Sequence, residues 1–216
     1  MNSRPILLAG LILGSFSILG VSLVSATYEG TKDRIAYNER LSLLRKLEAM
    51  VPPDAIDNDI VSDRIEVHDR DLLGTDTTYV YRGRKNGEPV AAVFTSVVPD
   101  GYSGPLKLLV AVRNDGTLAG VRVVSHKETP GLGDKVEEDR SNWIYGFEGK
   151  SLGDPPLEEW GVKRDGGYFD QFTGATITPR SVVKAVKNTL LFVRNNPETI
   201  YAEPRQALAE TPSPKG

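Results

Sequence analysis

The 216-residue chain contains no cysteine. That excludes thiolate metal sites, iron–sulfur clusters, c-type haem attachment, disulfides and a lipid-modified cysteine, and it leaves the redox compartment open. Histidine is scarce too: His68 and His126 are the only two, too few for a multi-histidine metal site within one chain. No G-x-G-x-x-G fingerprint and no P-loop occurs, so neither a doubly wound nucleotide fold nor a self-sufficient phosphoryl-transfer site has support. Net charge is −3 with no long basic run, which argues against a nucleic-acid surface. The length suffices for one domain with a real core plus appendages.

Charge is absent from Ile6 to Ala26. A helix of that length rises roughly 30 Å, the hydrocarbon thickness of a bilayer. Val24-Ser25-Ala26 also resembles a signal-peptide cleavage site, but the apolar run exceeds a usual signal core, which favours a retained anchor. Gly10 and Gly14, with Ser17 on the same face, allow close helix–helix contact in a membrane; ordinary glycine enrichment of such helices accounts for them equally well. Lys32, Arg34, Arg40, Arg45 and Lys46 outnumber Arg4, which by charge bias alone places the following domain in the cytoplasm.

Tyr28 to Met50 reads as a polar helix with Leu41, Leu44, Leu47 and Val51 as its apolar stripe, ended by Pro52-Pro53. Ile60 to His68 reads as a strand, with His68 on the surface. Two hairpins follow: 77–84 with 89–98 around Lys85-Asn86-Gly87, and 106–113 with 117–125 around Asn114-Asp115-Gly116. Three or four antiparallel strands are expected, covered on one face by the helix of Val182 to Val193: an α+β arrangement. Trp143, Tyr145 and Phe147 read first as core and second as ring-stacking residues. Residues 148–168 read as a long loop. The expected organisation is a membrane anchor (1–27), a helical connector (28–58), a folded domain (59–200) and a mobile polar tail (201–216).

The most informative stretch is Asp170-Gln-Phe-Thr-Gly-Ala-Thr176, followed by Ile177-Thr178-Pro179 and an amphipathic helix. Thr178 is the expected N-cap and Pro179 the first helical residue. Thr176 and Thr178 then stand before a helix N-terminus, a favourable place for a phosphate. Gly174 and Ala175 leave room for a bulky group near the backbone. A capped helix after a glycine turn explains the same residues without any ligand.

The segment 170–176 fits the Asp-x-x-Ser/Thr-Gly-Ala-Ser/Thr pattern of proteins carrying covalent FMN. His126-Lys-Glu-Thr-Pro-Gly-Leu-Gly133 resembles a His-x-Glu-Thr-Pro-Gly-Leu-Gly loop of the same family, and Gly101-Tyr-Ser-Gly-Pro105 its Gly-Tyr-x-Gly turn. Three motifs in order over roughly residues 80 to 195 make the match specific. The chain resembles the FMN-binding family of the G subunits of Rnf-type (Rsx) electron-transport complexes. The C subunits of sodium-pumping NADH:quinone reductases are relatives, disfavoured by the short chain.

The resemblance implies an antiparallel FMN-binding domain with FMN joined through its phosphate to Thr176 by a magnesium-dependent flavin transferase. It implies cofactor contacts from Asp170, Thr173, Gly174, Ala175 and Thr178, and from His126, Glu128, Thr129, Gly131, Leu132, Gly133 and Tyr102. Asp170 serves either transferase recognition or an Asx turn, and His126 either the flavin or its own loop. The family setting implies a bacterial inner-membrane protein with its domain on the periplasmic side, against the charge bias. Its expected partners are the other membrane and peripheral subunits of a complex moving electrons between ferredoxin and NAD, coupled to ion movement. The chain then acts as a relay and not as a whole enzyme. A flavin-free, membrane-anchored assembly module is the reading from another class.

Overall fold

The structure, a computed structural model, describes residues 4–201. Apart from its first residue, Tyr201, the predicted mobile tail lies outside them. Two compact units divide between Arg45 and Lys46.

One uninterrupted helix, α1 (Arg4–Met50), runs through the expected anchor and the polar helical segment that follows it. No proline or cap lies between Ala26 and Tyr28 to stop it. Its N-terminal part is apolar, long enough to cross a membrane and unburied, with Leu11 and Phe16 exposed. The helix stops at Met50, just ahead of Pro52-Pro53. In the second unit Leu47, Met50 and Val51 are buried.

That unit is a five-stranded antiparallel meander in the order β1-β2-β3-β4-β5. The strands are β1 (Arg64–Val67), β2 (Thr78–Lys85), β3 (Glu88–Val98), β4 (Leu106–Arg113) and β5 (Leu118–Ser125). The sheet has five strands where three or four were expected, because β1 pairs with β2 at the edge. β1 is shorter than the expected strand over 60–68. The Asp59 carboxylate accepts from Val61 N–H and the Asp59 carbonyl accepts from Ser62 and Asp63 N–H, which turns the chain before Arg64. The β2–β3 turn is Asn86-Gly87 with φ of 55° and 83°, the double left-handed geometry that makes Asn-Gly favourable there.

A short helix α2 (Arg70–Leu73), a long helix α3 (Ile177–Asn195) and a final turn α4 (Pro197–Tyr201) complete the regular elements. α3 buries Val182, Val183, Val186, Leu190 and Val193 against the sheet. Phe192 meets Phe94 edge-on at 6.1 Å, and the Thr189 and Ser96 hydroxyls lie 2.7 Å apart within the core. Between β5 and α3 the chain wraps an aromatic group of Trp143, Phe147, Trp160, Phe169 and Phe172 onto the same core. Phe147 is fully buried and Trp143 packs against the core, whereas Tyr145 is exposed beneath the Arg122 guanidinium.

Candidate functional site

A cleft of about 260 Å³ opens where the three sequence motifs converge, lined by Tyr102, Glu128, Thr129, Leu132, Gly133, Gly174, Ala175, Thr176 and Ile177. Local chemistry builds each wall. On one side the N–H groups of Leu132 and Gly133 both donate to the Thr129 carbonyl, closing a turn that turns Leu132 outward. On the other, the Ala175 N–H donates to the Phe172 carbonyl, with Gly174 at φ 84° between them. A Cβ at Gly174 sits 3.2 Å from Leu132 Cδ2, so a side chain there closes the gap between the walls. Phe172 fastens this turn to the core through Trp143, at 5.1 Å edge-to-face.

Glu128 joins the three segments. Its side chain is buried; Oε1 accepts from Ser103 N–H at 3.1 Å and Oε2 from the Thr178 hydroxyl at 2.7 Å. Two glycines make room for it. A Cβ at Gly133 would lie 2.5 Å from Glu128 Oε2, and one at Gly101 would lie 3.0 Å from Oε1 while striking the Gly104 carbonyl and Leu106. The carboxylate therefore ties the 101–105 turn, the 126–133 loop and the first turn of α3 into one frame.

α3 begins two residues earlier than expected, with Thr176 and not Thr178 as N-cap. The Thr178 hydroxyl is committed to Glu128, and Pro179 occupies the third helical position, where an N–H is still not needed. Thr176 makes no side-chain cap bond. Its half-buried hydroxyl stands on the cleft lip at the helix start, with Arg164 Nη1 3.5 Å away.

Eight of the thirteen sequence-derived candidates line the cleft: Tyr102, Glu128, Thr129, Leu132, Gly133, Gly174, Ala175 and Thr176. Thr178 sits below, bonded to Glu128. His126 turns toward its own loop: Nδ1 accepts from the Glu128 N–H at 2.9 Å, which leaves Nε2–H as the donor to Glu137 at 2.9 Å. Gly131 supplies a φ of 79° to the turn. Asp170 is exposed and paired with Lys163 at 2.7 Å, while its carbonyl accepts from Trp143 Nε1–H. Thr173 faces solvent. Sequence reasoning missed Ile177 and Arg164; the first carries no polar signal, and the second comes from a loop that only the fold brings to Thr176.

The cleft suits a flat aromatic cofactor with a charged tail. Tyr102, Leu132 and Ile177 expose 70%, 42% and 43% of their surfaces around it, apolar area that a ring system could cover. The helix N-terminus and Arg164 stand at the hydroxyl end, where an anion is favoured.

An FMN-binding domain model matches residues 101–191, and a model of the RnfG N-terminal region matches residues 1–50. Three curated relatives are each named as the G subunit of an ion-translocating oxidoreductase complex. The chain is 44% identical to that of Pseudoalteromonas atlantica, over 94% of this chain and 95% of the relative. It is 45% identical to that of Shewanella amazonensis over 93% and 94%, and 46% identical to that of Pseudomonas aeruginosa over 92% and 94%.

Proposed function

Since the chain belongs to the family of G subunits of ion-translocating oxidoreductase complexes, we propose that it is the FMN-carrying electron relay of such a complex, with the flavin held as a phosphoester on Thr176. The observation that carries the attachment is the place of that hydroxyl. It sits at the α3 N-cap, makes no cap bond and opens on a cleft rimmed by exposed apolar side chains.

A threonine hydroxyl is a weak nucleophile unaided. Among the described residues its one side-chain neighbour at hydrogen-bonding range is Arg164, a cation that cannot take its proton. A separate magnesium-dependent flavin transferase therefore supplies the catalysis, with FAD as donor. Thr176 Oγ forms a new bond to the FMN phosphorus of FAD, the pyrophosphate bond breaks, AMP leaves with that electron pair, and the hydroxyl proton is released.

When bound, FMN supplies transfer of one or two electrons. The chain's own residues hold and orient it. Tyr102, Leu132 and Ile177 offer the ring apolar cover, Gly174 lets it approach the backbone, and Glu128 keeps the walls in register. The ester keeps one flavin per chain at high effective concentration, which suits a domain on the periplasmic side of a bacterial inner membrane, where a free cofactor is lost by dilution. The apolar part of α1 anchors the domain, and the remaining membrane and peripheral subunits exchange electrons with it.

The test is denaturing electrophoresis of the full chain made beside a flavin transferase. A flavin-fluorescent band is expected, lost in Thr176→Ala and kept in Thr178→Ala. A band that survives Thr176→Ala moves the linkage to Thr173 or Thr178 and overturns the assignment.

A further inference from the structure

We infer that Arg164 is the counter-ion of the phosphoester at Thr176, binding the phosphate of the attached flavin. This rests on the proposed attachment and adds a residue to it. Three cations flank the acceptor segment: Lys163, Arg164 and Arg180. Two are committed elsewhere. Lys163 pairs with Asp170 at 2.7 Å, and Arg180 forks onto both oxygens of Asp165 at 2.6 and 2.8 Å. Arg164 forms no ion pair within 4.0 Å among the described residues, and its Nη1 faces Thr176 Oγ1 at 3.5 Å.

The turn that carries Arg164 is held by other groups. Its backbone N–H donates to Gln171 Oε1 at 3.2 Å, and the Gly166 N–H, at φ 85°, donates to the Lys163 carbonyl at 3.0 Å. The Asp165–Arg180 fork fastens the same turn to the first turns of α3. The Arg164 charge acts on the neighbouring Asp165 carboxylate, but among the described residues its side chain makes no hydrogen bond within its own loop, and its guanidinium stands beside the acceptor oxygen. An ester on that oxygen brings one negative charge and two free phosphate oxygens to a planar group with five donors. The N-terminal dipole of α3 favours the same charge.

The alternative is a solvated surface arginine, and the two separate experimentally. Flavin-free full-length protein in detergent is incubated with transferase, FAD and magnesium, and loading is followed by intact mass. Arg164→Gln is expected to load roughly fivefold more slowly than wild type, the scale of one exposed charge-assisted contact, and Arg164→Lys to fall between. Phosphorus NMR of the loaded proteins then reads the contact itself: the phosphodiester resonance of Arg164→Gln shifts from the wild-type position. An unshifted resonance overturns the inference whatever the rate, and slow loading with an unshifted resonance assigns Arg164 to transferase docking. A wild-type chain that never gains FMN overturns the attachment reading itself, before any variant is compared.

Discussion

Replacing Glu128 with alanine removes the carboxylate that joins three separate segments. Two hydrogen bonds to a charged acceptor are lost, from Ser103 N–H and from the Thr178 hydroxyl. Each such bond contributes about 1.5–3 kcal/mol. Ser103 is exposed and water can replace its partner, so most of the loss falls on Thr178, which is fully buried. Partial relief comes if that hydroxyl rotates to a carbonyl of the preceding turn. The expected cost is about 3 kcal/mol, which for a domain of this size lowers Tm by roughly 6–12 °C. Glu128→Gln keeps the shape: its carbonyl serves Ser103 and its amide donates to Thr178 Oγ, so the cost falls to about 1 kcal/mol. The assay is thermal melting of the flavin-free full chain in detergent, followed by the fluorescence of Trp143 and Trp160, which both report on this core. Thr178→Val removes one bond from the other end, and the double variant should cost less than the sum of the singles. A Glu128→Ala protein melting within about 1 °C of wild type refutes the joining role.

Other outcomes follow from the same geometry. Gly133→Ala places a methyl 2.5 Å from Glu128 Oε2 and should cost about 1–3 kcal/mol in the same melt, whereas Thr176→Val, which loses no cap bond, should stay within about 0.5 kcal/mol of wild type. Asn86→Val forces a branched side chain into φ 55° and should destabilise by about 1–2 kcal/mol, measured by urea titration. Burial, with a smaller contribution from the Asp115 charge, pushes the Tyr201 hydroxyl up to about 12. Its folded value lies above the unfolded one, so its contribution to stability is complete below about pH 10 and is lost as pH rises toward about 12. The difference in phenolate absorbance between wild type and Tyr201→Phe should show that late titration, and an ordinary phenol titration contradicts it.

Much of the scaffold was legible because its signals are local. Asn86-Gly87 marks a hairpin whose two left-handed residues the structure contains, and Val182, Val186, Leu190 and Val193 mark the face that α3 buries. The correction at the site is non-local. Thr178 has the residue type of an N-cap, yet a carboxylate fifty positions earlier takes its hydroxyl, and the helix starts upstream. The burial of Glu128 depends on Gly133 in its own motif and also on Gly101, in a separate turn that only the fold brings to it. Arg164 was invisible for the same reason. The helical reading of Tyr28 to Met50 was local too, because composition changes near Tyr28 while helix propensity does not, and α1 runs through both parts. The three motifs were readable as a set, and each of them contributes residues to one cleft.

The most direct measurement is peptide mapping by mass spectrometry of the full chain isolated from cells that make its transferase. The account predicts one FMN phosphoester per chain, on the peptide containing Thr176 and on that hydroxyl. A bare Thr176 in every molecule contradicts it.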